Sequence, residues 1–148
     1  MGEHSIMGTQ LSWYLPSKVI YEEFTGIITT DDIRYASTTV NQLMAAGNPP
    51  VHSIINICGV TDFPKNLEKI RRALDPEVHP HRGWLVVVLP ESNVLLRLVM
   101  SHIIKLRAPN GQTRLFGSLR QAIMFLNSVD PSLNLRSQTG SLDTSADG

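Results

Sequence analysis

Strand-length apolar runs alternate along this chain with longer segments whose apolar residues recur at helical spacing, the pattern required by parallel strands joined through helices. The run His52–Cys58 is rich in β-branched residues and bounded by Pro49, Pro50 and Gly59, as suits a central strand buried on both sides. Gly83–Leu89 carries Trp84, Leu85, Val86, Val87 and Val88 without interruption and reads as the middle of a sheet. Upstream, Leu11–Leu15 and Lys18–Thr25 flank the punctuation Pro16-Ser17, which predicts a hairpin, and Thr113–Phe116 supplies a last short strand. The expected order is β-β-α-β-α-β-α-β-α: an α/β fold with a single mixed sheet of about five strands.

The helices announce themselves by caps and stripes. Thr29, three residues before Asp32, forms a capping box for a helix whose apolar face is Ile33, Ala36, Val40, Leu43 and Met44, with Gly47 as its stop. A second helix is expected from near Pro64, presenting Leu67, Ile70 and Leu74 and ending before Pro76. The third, Glu91–Arg107, carries Leu95, Leu98, Val99, Ile103 and Leu106, and Leu96, Met100 and Ile104 widen that stripe beyond what one sheet face needs. Ser118 with Gln121 caps a fourth helix bearing Leu119, Ala122, Ile123 and Leu126, and Asp130-Pro131 ends it.

With 148 residues, 42% of them hydrophobic, the chain builds one core rather than two. Residues 1–10 are expected to be a flexible N-terminus, 11–130 the domain, and 131–148 a disordered tail, because Ser, Thr, Asp, Asn, Gly and Gln dominate it. Thirteen Lys and Arg offset thirteen Asp and Glu, so no basic surface is available to track phosphates and nucleic acid is not an expected partner. The lone Cys58 excludes an intramolecular disulfide, no apolar run is long enough for a membrane span, and Met1–Gln10 lacks the pattern of a signal peptide, so a cytoplasmic location is expected.

This order of elements resembles the STAS family, the fold of bacterial anti-sigma factor antagonists, and in particular its divergent STAS-like group. The resemblance rests on Phe24-Thr25-Gly26-Ile27 followed by Thr29–Asp32 opening a helix, on the strands Ile54–Cys58 and Trp84–Leu89, and on Phe116-Gly117-Ser118 opening the last helix with Ala122 and Leu126. It covers Leu11 to about Val129. It implies a non-enzymatic regulatory module that engages another protein chain, as a homodimer or with a regulatory partner. Phosphoregulated members carry an Asp-Ser-Ser-Gly type sequence after the central strand. The matching stretch here, Cys58-Gly59-Val60-Thr61-Asp62-Phe63-Pro64, has no Ser, so a phosphosite survives only if Thr61 replaces it; otherwise Thr61 and Asp62 simply cap the helix at Pro64.

Ligands of open α/β sheets bind beyond strand ends, which makes Cys58, Gly59, Thr61 and Asp62 the candidate ligand- or partner-binding residues. Cys58 has two readings, a small buried hydrophobe or the reactive thiol of a small enzyme or redox sensor with a histidine as base. A phosphatase-type loop is excluded, because Pro64 stands where its Arg would be. His79-Pro80-His81-Arg82, near Glu77, has His-x-His chelate spacing but no second ligand pair, so it reads as a stiff turn and no metal or cofactor is expected. His102 reads as a satisfied core or interface residue, and Arg97, Ser101 and Lys105 as a solvated strip. The surplus apolar residues Leu96, Met100 and Ile104 are the candidate interface. The reading that follows is a binding or regulatory module engaging a protein and able to hold a small or apolar ligand; the alternative is the Cys58-dependent enzyme or sensor.

Overall fold

The computed structural model describes residues 4–6, 8–74, 79–107 and 112–136. Strands β1 (His4–Ile6), β2 (Thr9–Leu15), β3 (Val19–Ile27), β4 (Val51–Asp62), β5 (Arg82–Val88) and β6 (Thr113–Phe116) lie side by side in sequence order. β1, β2 and β3 pair antiparallel, and β3 through β6 pair parallel, giving the mixed sheet. Helices α1 (Thr30–Ala46), α2 (Leu67–Ala73) and α3 (Val94–Arg107) make the three crossovers, and α4 (Leu119–Val129) follows β6. Parallel strands laid down in one direction with crossovers of one hand place the three crossover helices on the same face. Of the described α-helices, α4 is left to cover the other.

Strand alternation sorts the core accordingly. On the three-helix face, Ile20, Phe24, Val51, Ile57, Val87 and Leu89 are buried with Ala36, Leu43, Met44 and Leu96. On the opposite face, Val19, Ile54, Val86 and Val88 pack against Ala122, Ile123 and Leu126 of α4. The expected capping box is formed: the Thr29 amide donates to Asp32 Oδ2 at 2.8 Å and the Asp32 amide donates to Thr29 Oγ1 at 3.2 Å. At α4 half of the expected box is present, since Ser118 Oγ accepts from the Gln121 amide, while the Gln121 side chain accepts from Gly117 instead.

Several boundaries differ from expectation, each for a physical reason. Residues 4–6, expected to be flexible, add an edge strand through the register His4↔Leu11 to Ile6↔Thr9, and β2 itself begins at Thr9. β4 does not stop at Cys58 but runs to Asp62, because Thr25, Gly26 and Ile27 of β3 continue the ladder opposite Gly59, Val60 and Asp62. Helix α2 therefore starts at Leu67 rather than near Pro64. Its cap is Asn66, whose side chain accepts from the amides of Glu68 and Lys69. The ordered chain also continues past Asp130: a 3-10 turn at Pro131–Leu133 leads to Leu133 and Leu135, both buried against the α4 core. Asn127 clamps this segment by donating to the Leu135 carbonyl at 3.0 Å and accepting from its amide at 2.7 Å, and Tyr14 donates to the Arg136 carbonyl at 2.6 Å. Two leucines in an otherwise polar stretch, with these hydrogen bonds, hold it down. The remainder of the expected tail, 137–148, lies outside the described residues, as does Glu77.

Candidate functional site

The sequence-predicted loop is not a crevice. Cys58, Gly59, Thr61 and Asp62 project from the extended end of β4 and are exposed. Asp62 pairs with Lys65 at 2.6 Å, which holds its carboxyl below the usual range. Thr61 sits on a strand, away from the α2 N-terminus that Asn66 caps, so neither the helix-capping role nor the placement of a phosphosite at a helix N-terminus is realised.

Cys58 is exposed rather than buried, which corrects the reading of it as a small core hydrophobe. Its surroundings nevertheless oppose thiolate formation: partial burial of the sulfur, and then the nearby Glu23 carboxylate, push its pKa up. A sensor thiol needs the reverse. Alkylation of the native protein by iodoacetamide at pH 8 is expected to be measurable but slower than that of the urea-unfolded chain; faster native labelling would restore the sensor alternative. Next to it, Asn56 donates to the Tyr21 hydroxyl at 3.0 Å, and burial pushes that phenol up to about 12.

The His79–Arg82 segment is used as a turn. His79 Nδ1 accepts from the His81 amide at 3.0 Å, the His81 ring bonds to the Met44 carbonyl at 2.8 Å, and the two rings meet edge-on at 4.8 Å. His102 is exposed on α3.

The expected interface residues on α3 also change role. Leu96 is buried, and Met100 and Ile104 pack inward with it against the sheet. The apolar residues left over on this helix are Val94, Leu95 and Leu98, 64%, 51% and 63% exposed. A helical stripe has two edges, and sequence does not say which one turns outward.

What the inward residues line is a cavity of about 200 Å³ between the sheet and helices α1, α2 and α3. Its floor is Phe24, Ile55 and Ile57, and its walls come from Ala36 and Val40 of α1, Ile70 of α2, and Leu96, Met100 and Ile104 of α3. Val60, Phe63 and Pro64, which belong to the Cys58–Pro64 stretch singled out from sequence, form part of its lining.

Four polar residues interrupt this apolar lining from the sheet and its edge: Glu22, Ser53, His79 and Arg82. Glu22 on β3 is 5% exposed, and burial, opposed by the Arg82 guanidinium, pushes its carboxyl up to about 8. Ser53 on β4 is 2% exposed, and its Oγ has no hydrogen-bond partner among the described residues. Register sets Glu22 opposite Ile55 and Ile20 opposite Ser53, so the two are diagonal neighbours on adjacent strands. Neither was singled out from sequence. The available signal was Glu22 at an inward position of a strand, between Ile20 and Phe24.

No protein-family model and no curated protein matches the chain. Among solved structures it is similar to an uncharacterized protein of the DUF3478 family, with a SpoIIAA-like fold, from Shewanella loihica PV-4. The TM-score is 0.53 at 11% identity, over 84% of this chain and 90% of that one. A likeness at that identity speaks to the fold alone, and it agrees with the architecture described above: the chain has a STAS-like, SpoIIAA-like α/β fold.

Proposed function

We propose that this chain is a non-catalytic binding module that holds a small, predominantly apolar ligand between its sheet and helices α1, α2 and α3. The observation that carries the reading is the cavity of about 200 Å³ with its apolar walls. Protein interiors are close-packed, and an apolar void of about 150 Å³ is already large enough to take up a small aromatic molecule. Its few polar groups are those of a site that orients a ligand rather than of one that reacts with it. Ser53 Oγ is hydrogen-bonded to no base among the described residues, and His79 Nδ1 is occupied by the His81 amide. A regulatory use of binding fits the STAS-like architecture, and the α3 helix, lining the cavity inside and exposing Val94, Leu95 and Leu98 outside, is the element through which a partner chain would sense occupancy.

The test is to fill the cavity. Met100→Trp puts a bulky indole in the space that the half-buried Met100 borders. In the wild-type protein, octan-1-ol should shift the amide resonances of Ile55, Ile57, Val40 and Ile104 saturably, while in Met100→Trp those shifts should fall at least about tenfold in affinity with the fold intact by circular dichroism. Equal binding by both proteins, or shifts spread over the outer surface, would remove the cavity as the ligand site.

A further inference from the structure

We propose that Glu22 and Ser53, with Arg82 beside them, form a hydrogen-bond-donating head-group subsite in this cavity, and that the ligand is an acyl chain or small ring ending in a carboxylate. The inference rests on the cavity reading and adds the chemical class of its occupant. Two side chains from adjacent strands face the same apolar space, each more than nine-tenths buried. Ser53 Oγ has no hydrogen-bond partner among the described residues, and the influences on the Glu22 carboxyl are its burial and the charge of Arg82. Unpaired polar groups are costly inside a protein and are rarely kept at a cavity wall without a ligand or water to meet them.

The sign of the subsite follows from the groups that surround it. Among the described residues Glu22 is the only carboxylate in the lining, and the other ionisable groups there are Arg82 and His79. Helix α1 contributes Ser37 and Asn41 as its polar side chains, whereas α2 and α3 contribute apolar ones alone. A carboxyl group so buried is held in its neutral form, consistent with the upward push of burial on Glu22. A neutral Glu22 offers an O–H, Ser53 offers a second, and Arg82 adds positive potential. That set complements a monoanion and disfavours an ammonium group. When Glu22 ionises, the same subsite becomes repulsive to a carboxylate.

Octanoate, octan-1-ol and octylamine share one chain length and differ in the head group, and their binding to the full chain can be followed by amide chemical shifts at pH 6.5 and pH 9. Octanoate is expected to bind about tenfold tighter than octylamine at pH 6.5 and to weaken about tenfold by pH 9. Glu22→Gln, whose amide donates at either pH, should retain octanoate binding at pH 6.5 and lose the weakening at pH 9. Glu22→Leu should lose the preference for octanoate over octanol. Octylamine binding as tightly as octanoate, or an unchanged octanoate preference in Glu22→Leu, would overturn the subsite while leaving the cavity reading in place. Failure of all three probes to shift any cavity resonance would overturn both.

Discussion

Replacing His52 with alanine is expected to lower the unfolding free energy by about 3–4 kcal/mol, read from the urea midpoint at unchanged slope. The imidazole is 3% exposed and ties three separate parts of the chain together. Its Nδ1 accepts the Trp84 amide at 2.9 Å, so the ring proton sits on Nε2, which donates to Asp130 Oδ2 at 3.1 Å. Truncation leaves the Trp84 N–H unpaired, empties a ring-sized space, and releases the end of α4. Asp130 loses one of the two hydrogen bonds that depress its pKa, the larger coming from Ser132 and the other from His52. Because the folded-state pKa of Asp130 lies below its unfolded value, the associated stability is present above the unfolded pKa and lost as pH falls through the folded one. Asp130→Asn keeps an acceptor for Nε2 and should cost less, about 1 kcal/mol. The same ring explains Gly83: a Cβ there would stand 2.5 Å from His52 Nδ1 and 3.2 Å from Pro50 Cβ, so no larger residue lets the ring approach the β5 backbone. An equal loss of stability in His52→Ala and Asp130→Asn would show that the Trp84 contact contributes little.

The STAS-like order was legible because it is written in local signals. Strands such as β5 (Arg82–Val88) and the Thr29–Asp32 cap declare themselves by composition and spacing, and consecutive parallel strands leave few alternatives for where the helices go. The errors arose where a long-range contact decides the outcome. Extension of β4 to Asp62 depends on partners in β3 some 35 residues earlier, as in the pair Thr25↔Gly59, and local sequence carries no trace of that pairing. Leu133 and Leu135 are ordered by Asn127 and the α4 core, although their neighbours have the composition of a tail. The inner edge of α3 was misassigned because Leu96, Met100 and Ile104 and the exposed Val94, Leu95 and Leu98 are equally apolar. The cavity itself was illegible, since a void is set by how helices sit over a sheet and not by any one segment.

Glu22 should make this protein lose stability as pH rises, the opposite of the usual carboxylate effect. Below its unfolded value, near 4.5, the carboxyl is protonated in both states and contributes no pH dependence. Above it the unfolded chain ionises freely while the buried group stays protonated up to about 8, so the unfolded state is favoured progressively across that window. Each unit of pH within the window is worth about 1.4 kcal/mol, so the whole of it amounts to roughly 4–5 kcal/mol, a large share of the stability of a domain this size. Above about 8 both states are ionised and the dependence ends. Urea unfolding of wild type and Glu22→Leu between pH 5 and pH 9 isolates the effect, because every other titrating group is common to the two proteins. The stability difference should widen steadily in favour of Glu22→Leu and then level off, and saturating octanoate should carry the wild-type decline to higher pH at the same slope, since a carboxylate ligand that prefers protonated Glu22 raises its folded-state pKa further. Parallel curves for the two proteins would mean that the carboxyl is solvated in the folded state, and both the buried acid and the donor subsite built on it would have to be abandoned.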